Sequence, residues 1–211
     1  MKFSRAVILL LIISILVISI WNIIQLNRCK RSYERQKLII TRKDDILKKI
    51  ESLVINTQII SMKYLGRYLL LSNLEKIYPN GKDRLKFQKN PKLVLILSEF
   101  GCNVCQDNET KFAVDVFNSF DEKYVLAIVQ ASNQRYIINY VRQNQVNFPV
   151  YYCEDDKFLE LNQVIDTPLI LILDKDNRII ASHLPITGYP EYSEPIHQFC
   201  LHYFKQYEKA E

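Results

Sequence analysis

Two cysteines separated by two residues carry the clearest chemical signal in the sequence. They lie in the stretch FGCNVC at 100–105, between an apolar run at 92–100 and a helical pattern at 102–120. Cys102 is therefore predicted at a helix N-terminus, where unpaired N–H groups and the helix dipole favour a thiolate. Since the thiolate is the attacking species in disulfide exchange, we expect Cys102 to be the nucleophile and Cys105 the resolving thiol.

A zinc site is the alternative interpretation of this cysteine pair. A structural zinc ion takes four ligands, and the sequence contains no second cysteine pair at this spacing. The remaining combination, Cys200 with His197 and His202, falls on one predicted helix at irregular spacing. We therefore expect neither a metal site nor another cofactor.

The chain contains five cysteines, which are too few and too scattered for a disulfide-rich scaffold. Cys153 ends a predicted strand and is interpreted as a small buried apolar side chain. Cys29 follows an apolar segment closely and is interpreted as an inert thiol, with acylation as the alternative.

The sequence beyond residue 91 alternates between strand and helix patterns. Continuous apolar runs such as KLVLILSEF indicate strands that are buried on both faces. The predicted strands cover 92–100, 124–131, 148–153, 169–174 and 178–183, and the predicted helices cover 102–120, 133–145, 156–164 and 191–207. This order predicts an α/β sheet with flanking helices, parallel at first and antiparallel at its end.

Together these motifs resemble the thioredoxin superfamily over residues 91–207. The matching features are a strand, CxxC and a helix in succession, and then Ile165-Asp166-Thr167-Pro168 before the segment LILILDKDNRII. In that family the proline is cis and faces the disulfide, and cis is energetically accessible at an X–Pro bond. The resemblance implies that the backbone at Thr167 and Pro168 binds an extended substrate segment.

Two further features restrict the resemblance to one group within the superfamily. They are an additional strand–helix unit at 148–164 and an apolar segment near the N-terminus. This arrangement looks like the membrane-tethered thioredoxin-like thiol:disulfide oxidoreductases, including those that serve cytochrome c maturation. The resemblance implies substrate proteins with thiols or a disulfide, a membrane or soluble electron donor, and no cofactor. Because those enzymes work on the outer face of bacterial membranes, it also implies an extracytoplasmic domain.

Three positions depart from the family pattern. Gly101 replaces the usual tryptophan before the first cysteine, Ile96 replaces a buried acid below the cysteines, and Asn108 replaces a glutamate of tethered relatives. Glu99 and Glu109 are the remaining candidates for a proton relay to the thiols. These departures keep a second function open, in which the domain is a non-catalytic thioredoxin-fold module that docks a partner protein at the membrane.

Two other activities of this fold fit the sequence less well. Peroxiredoxin-type sites place a threonine three residues before the reactive cysteine in a proline-containing loop. Here Glu99 stands at that position, and no proline lies between Pro91 and Cys102. Copper-chaperone relatives use CxxxC with a distant histidine, and the spacing here is one residue short. We interpret His183 as an ordinary residue at a strand end.

The apolar segment at 6–26 contains no charged residue. Its 21 residues extend about 31 Å as a helix, which matches a hydrocarbon core of about 30 Å. Lys2 and Arg5 also fit the start of a signal peptide, but no small-x-small cleavage site follows the apolar run. We therefore predict a cytoplasmic tail at 1–5 and an uncleaved transmembrane helix at 6–26.

A helical stalk is predicted between this segment and the α/β domain. Apolar residues recur between Ile39 and Leu71 at the spacing of one helical face, and Lys43 and Thr57 interrupt any coiled-coil seam. Its basic start fits either contact with anionic lipid headgroups or a solvated spacer. The predicted boundaries are 27–77 for the stalk, 78–91 for a linker that begins with a turn signal, and 92–211 for a domain that folds alone.

Charge is distributed unevenly along the chain. Residues 1–91 carry 18 basic and 6 acidic side chains, a net of +12, and residues 92–211 carry 10 and 17, a net of −7. The total of +5 gives no reason to expect nucleic-acid binding. Two basic residues precede the predicted span and nine follow it by residue 49, which favours a cytoplasmic domain. The family resemblance favours an extracytoplasmic domain, which we prefer, and the conflict stays open.

Overall fold

A computed structural model describes residues 2–71, 74–79, 90–120, 122–153 and 157–210. The side chains of residues 2–12, 14, 122, 157 and 210 lie outside this description, as does most of the predicted linker at 78–91. The chain divides into two compact units, the first ending at Ser52 and the second running from Leu53 to Glu211.

A single long helix makes up the first unit and extends into the second. Helix α1 (Lys2–Met62) contains 61 residues. Apolar side chains of the predicted stalk, including Ile39 and Ile46, are about half exposed. The part of the chain that the structure describes contains no helix with the length and apolar character that crossing a membrane requires. Of the predicted span at 6–26, residues 6–12 and 14 have no described side chain.

Helix α1 ends at Met62, whereas the sequence pattern predicts a helix to residue 77. The chain instead turns at Gly66, whose φ of +78° is readily accessible only to glycine. The N–H of Gly66 donates to the carbonyl of Ile179 at 2.8 Å, so the connecting segment (residues 63–71) pairs with the edge of the sheet. Leu69 and Leu74 are buried beyond this turn. The stabilisation gained by burying these two side chains outweighs the helical pattern of the local sequence.

A six-stranded mixed sheet is the centre of the second unit. Its strands are β1 (Glu75–Tyr78), β2 (Lys92–Ser98), β3 (Val125–Gln130), β4 (Val150–Cys153), β5 (Leu169–Leu173) and β6 (Ile179–His183). The spatial order is β1-β4-β3-β2-β5-β6. The pairs β2–β3 and β3–β4 are parallel, and the other three pairs are antiparallel. The predicted mixed sheet is confirmed, and β1 is an edge strand where the sequence predicts a helix.

The α-helices that follow α1 are α2 (Asn103–Ser119), α3 (Gln134–Gln143), α4 (Lys157–Leu161) and α5 (Glu194–Ala210).

Side chains of β2 point alternately to the two faces of the sheet. Leu95 packs in a cluster with residues of α2, α3 and α5. Its neighbour Ile96 points to the opposite face and packs with Tyr64, Leu69 and Phe158 of α4. This alternation explains why the whole apolar run of β2 is buried.

From the bounds of the second unit we predict that the independently folding part of the chain begins near Leu53. A fragment of residues 92–211 lacks strand β1 and the buried side chains of Tyr64, Leu69 and Leu74. Burying each such side chain contributes about 1.5–3 kcal/mol, so the shorter fragment should be less stable than residues 53–211 by about 5 kcal/mol. Urea unfolding monitored by circular dichroism measures the difference. Equal midpoints for the two fragments would contradict this boundary.

Leu69 and Leu70 provide a matched control within the longer fragment. Leu69 is 6% exposed, whereas Leu70 is 48% exposed. Leu69→Ala should lower the free energy of unfolding by about 2–5 kcal/mol, because it opens a cavity against the sheet. Leu70→Ala should lower it by less than about 1 kcal/mol.

Candidate active site

The two cysteines of the CxxC motif begin helix α2, which follows β2 after a short turn. Cys102 is the N-cap residue, with extended backbone angles of φ −67° and ψ 103°. Its sulfur accepts a hydrogen bond from the backbone N–H of Cys105 at 3.4 Å. Both residues are free thiols, and Cys102 is half-buried whereas Cys105 is 5% exposed. Cys102 thus lies at the helix N-terminus, where the sequence pattern places it.

The two thiols differ in their tendency to ionise. Burial is the largest influence on Cys102 and acts to raise its pKa, but hydrogen bonds from Cys105, Thr187 and the N–H of Val104 together lower that pKa below its ordinary value. Burial raises the pKa of Cys105 to about 11, and the hydrogen bond to Cys102 and the charges of Cys102 and Glu109 add to the rise. Cys102 is therefore the sulfur that ionises first.

A threonine from the far end of the domain contacts both sulfurs. Thr187 lies in the loop after β6, and its hydroxyl donates to Cys102 Sγ at 3.3 Å. The same oxygen lies 3.4 Å from Cys105 Sγ, 82 residues earlier in the chain. Sequence reasoning missed Thr187 because no spacing rule connects it to the motif. The nearby sequence feature that indicates this loop is Gly188, whose φ of +82° allows a tight turn directly after Thr187.

The loop in front of β5 packs against the start of the cysteine motif. The Thr167–Pro168 peptide bond is cis, as the family resemblance implies. A Cβ atom on Gly101 would lie 2.9 Å from Thr167 Oγ1 and 2.5 Å from Gln106 Nε2. Gln106 is fully buried, and its Nε2 donates to the carbonyl of Ser98 at 2.8 Å. A side chain at 101 would displace one of these neighbours, so glycine is what allows the loop to approach.

A buried carboxylate lies one helical turn beyond Cys105. Glu109 is 2% exposed, and its Oε1 accepts a hydrogen bond from Ser193 Oγ at 2.7 Å. Its Oε2 pairs with His197 Nε2 at 2.6 Å. His183 Nε2 lies 3.1 Å from the same serine hydroxyl, and burial lowers the pKa of His183. Because an unpaired buried charge is costly, these partners are what holds the carboxylate in the interior.

Sequence reasoning identified Glu109 as a relay candidate but missed its partners. The sequence predicts His183 to be an ordinary residue at a strand end, whereas in the structure it belongs to this hydrogen-bonded network. His197 stacks on Phe112 with ring centroids 3.7 Å apart. Among the described residues, no group of three or more His, Cys, Asp or Glu side chains could hold a metal ion.

The other relay candidate, Glu99, has different partners. Its carboxylate accepts hydrogen bonds from the backbone N–H and the hydroxyl of Ser132, each at 2.7 Å. These hydrogen bonds lower the pKa of Glu99. Since Ser132 lies shortly before α3, Glu99 connects the end of β2 to the start of that helix. Of the two carboxylates, Glu109 is the one whose charge acts on Cys105.

Comparison with known proteins supports the architecture described above. No family model and no curated protein sequence matches the chain. The thioredoxin domain of a thiol-disulfide oxidoreductase from Bacteroides vulgatus is 15% identical, with a TM-score of 0.50, over 63% of this chain and 96% of that domain. A candidate protein disulfide isomerase from Bacteroides thetaiotaomicron is 10% identical, with a TM-score of 0.51, over 64% of this chain and 87% of its own. The chain has a thioredoxin-like fold.

The thioredoxin-like fold presents apolar side chains around its cysteine motif. Phe100 is 80% exposed, Val104 is 64% exposed and Ile165 is 58% exposed. The first two flank Cys102 in sequence, and Ile165 precedes the cis proline loop. Ile165 is two residues from Thr167, whose side chain and carbonyl lie close to Gly101.

The three remaining cysteines have separate environments. Cys153 is buried at the end of β4, where its sulfur lies 3.7 Å from the carbonyl of Val129, and its prediction as a buried side chain is confirmed. Cys200 is buried in α5, and burial raises its pKa. Cys29 is exposed on α1. Burial makes the first two poor nucleophiles.

Gly101→Ala tests the close approach of the proline loop. The added methyl group would meet Gln106 Nε2 at 2.5 Å and the carbonyl of Thr167 at 3.2 Å. Overpacking of this kind should lower the free energy of unfolding by about 1–3 kcal/mol, measured by urea denaturation. Phe100→Ala is the control, since its exposed side chain should contribute less than about 0.5 kcal/mol. Identical unfolding of Gly101→Ala and the wild type would show that the loop accommodates a side chain.

Proposed function

We propose that this chain is a membrane-anchored thiol:disulfide oxidoreductase that exchanges disulfides with extracytoplasmic proteins through Cys102 and Cys105. The observation that carries the proposal is the asymmetry of the two sulfurs. Cys102 is half-buried with a lowered pKa, whereas Cys105 is 5% exposed with a pKa of about 11. A site that attacks with one sulfur and resolves with the other needs this difference.

The chemistry follows from that asymmetry. In the reducing direction, the Cys102 thiolate attacks one sulfur of a substrate disulfide, and the other substrate sulfur leaves as a thiolate. Cys105 then loses its proton and attacks Cys102 Sγ, which breaks the mixed disulfide and releases the second substrate thiolate. The oxidising direction reverses these steps. A membrane or soluble electron donor or acceptor restores the starting state.

We assign Glu109 as the base that accepts the proton of Cys105. It follows Cys105 by four residues in α2, which places both side chains on one face of the helix. Its carboxylate is buried with Ser193 and His197, away from bulk water. A positioned carboxylate close to a thiol of raised pKa is suited to act as a general base. In this proposal the role of Glu99 is structural, because its carboxylate is hydrogen-bonded to Ser132.

The proposed substrate is a protein that presents an extended segment with a cysteine. The backbone at Thr167 and Pro168 would pair with that segment in the manner of an added strand. The exposed side chains of Phe100, Val104 and Ile165 would contact its apolar residues. Both features support a protein substrate over a small thiol, because a small thiol would need neither.

The proposed anchor is the uncharged segment at 6–26. Its length suits the hydrocarbon core of a bilayer. Nine Lys and Arg residues between 28 and 49 suit contact with anionic headgroups at one membrane surface. The lipid bilayer is therefore a proposed partner of α1.

The second candidate function is a non-catalytic module that docks a partner protein at the membrane. Two observations favour it. Gly101 leaves the cysteine motif without the aromatic neighbour of the family, and the β2 position of the family's buried acid is Ile96, a core residue. In such a module the cysteine pair would be vestigial and would form no adducts.

A trapping experiment separates the two functions. Cys105→Ser, placed in a Cys29→Ser background so that the exposed thiol forms no adducts, should accumulate mixed disulfides because intramolecular resolution is lost. The chain is purified from its native host under acid quench and run on non-reducing gels. Cys102→Ser in the same background is the matched control and should form none. Equal adducts in both variants, or none in either, would favour the non-catalytic module.

The anchor and the topology are tested together on the full chain. A reporter that is active only outside the cytoplasm, fused after Glu211, should be active, and a cytoplasm-dependent reporter should be inactive. Deleting residues 6–26 should reverse this result and release the chain from membranes under alkaline carbonate. Activity of only the cytoplasm-dependent reporter in the intact chain would contradict the extracytoplasmic domain and support the positive-inside rule.

A further inference from the structure

The hydroxyl of Thr187 occupies a position between the two reactive sulfurs. Its oxygen lies 3.3 Å from Cys102 Sγ and 3.4 Å from Cys105 Sγ. We propose that Thr187 is a catalytic residue whose hydroxyl hydrogen-bonds to each sulfur in turn when that sulfur carries the negative charge. This inference rests on the proposed disulfide exchange, and it assigns a function to a residue outside the cysteine motif and the proline loop.

The hydrogen-bonding capacity of a hydroxyl fits the reduced site. A threonine hydroxyl has one hydrogen to donate and two lone pairs that accept. With Cys102 as the thiolate, the hydrogen of Thr187 points to Cys102 Sγ, and the oxygen accepts from the S–H of Cys105. One side chain therefore stabilises the charge on the nucleophile while it stays in contact with the resolving thiol. Hydrogen bonds to ionised groups are stronger than those between neutral groups.

The same hydroxyl fits the resolving step after a rotation about a single bond. Once Cys102 is in the mixed disulfide, its sulfur is neutral and no longer competes for the hydrogen. Cys105 transfers its proton to Glu109, the base assigned above, and the hydroxyl of Thr187 then donates to the Cys105 thiolate. That thiolate attacks Cys102 Sγ, a bond forms between the two cysteines, and the substrate sulfur leaves with the electron pair. The substrate disulfide is the oxidant, so no further reactant is needed.

The loop that carries Thr187 is held on both sides. Leu184 is 4% exposed and Ile186 is 9% exposed, so the residues before Thr187 are anchored in the protein. The N–H of Tyr189 donates to the carbonyl of Ile186 at 3.0 Å and closes a turn around Thr187. Gly188 supplies the positive φ that this turn requires. The hydroxyl is therefore positioned before any substrate arrives.

The test measures ionisation of Cys102 without a substrate. The rate of iodoacetamide alkylation of Cys102 is followed against pH in the full chain by mass spectrometry of the Cys102 peptide. Thr187→Val keeps the shape of the side chain and removes the hydroxyl. It should move the profile to higher pH by about one unit, an approximately tenfold slower reaction below the pKa. Thr187→Ser should restore most of the rate, because it keeps the donor.

Thr110→Val is the control for losing a threonine hydroxyl that is hydrogen-bonded elsewhere in the protein. The Thr110 hydroxyl lies 2.8 Å from the hydroxyl of Tyr140 and contacts neither sulfur, so its profile should match the wild type. A Thr187→Val profile that coincides with the wild type, or a shift that Thr187→Ser does not restore, overturns the proposal. Should Thr187→Val fail to fold, Thr187→Ala is measured in the same way.

A second measurement distinguishes this inference from the proposed function. In chains that retain both cysteines, the decay of the transient mixed disulfide with a disulfide-bonded substrate is timed by acid quench, and Thr187→Val should slow it about tenfold relative to Thr187→Ser. An unshifted alkylation profile in a chain that exchanges disulfides normally overturns the role of Thr187 alone. A shifted profile in a chain that never exchanges disulfides supports the hydrogen bond to Cys102 and overturns the proposed function.

Discussion

The contact between Gly101 and the Thr167–Pro168 loop is the constraint on which the site depends. A side-chain atom at 101 would overlap Gln106, which is fully buried and bound to β2 through Ser98. Without that atom, the loop before β5 lies directly beside the start of α2. The sulfur of Cys102 therefore lies where a strand end, a helix N-terminus and the proline loop meet.

Burial creates the chemical difference between the two cysteines. A buried carboxylate, that of Glu109, lies one helical turn beyond Cys105. Cys105 and Glu109 both face the protein interior, where each loses favourable interactions with water in its charged form. Ser193 and His197 compensate the carboxylate, whereas the thiol has a raised pKa. Burial below α2 thus keeps the Cys105 thiol protonated, whereas the carboxylate one helical turn away is stabilised by hydrogen-bonded partners.

The parts of the fold that could be predicted from sequence are those with local patterns. The apolar run of β2 and the CxxC spacing identify the strand and the helix start, and the cis bond before Pro168 follows from the family resemblance. The end of α1 and strand β1 could not be predicted, because pairing with distant strands decides them. The contacts of Thr187 with the two sulfurs and of His197 with Glu109 could not be predicted for the same reason, since only the folded chain brings these residues together.

The connecting segment after α1 links the helix end to the proline loop. The hydroxyl of Tyr64, a residue that is 1% exposed, accepts a hydrogen bond from the N–H of Ile165 at 3.0 Å and donates to the carbonyl of Gln163 at 3.2 Å. Asn162 adds two hydrogen bonds to the backbone of Leu70. The residues just before the cis proline are therefore held by residues just beyond the helix. Because rigid neighbours position a reactive site better than mobile ones, the chain before β2 contributes to the geometry around the thiols as well as to the core.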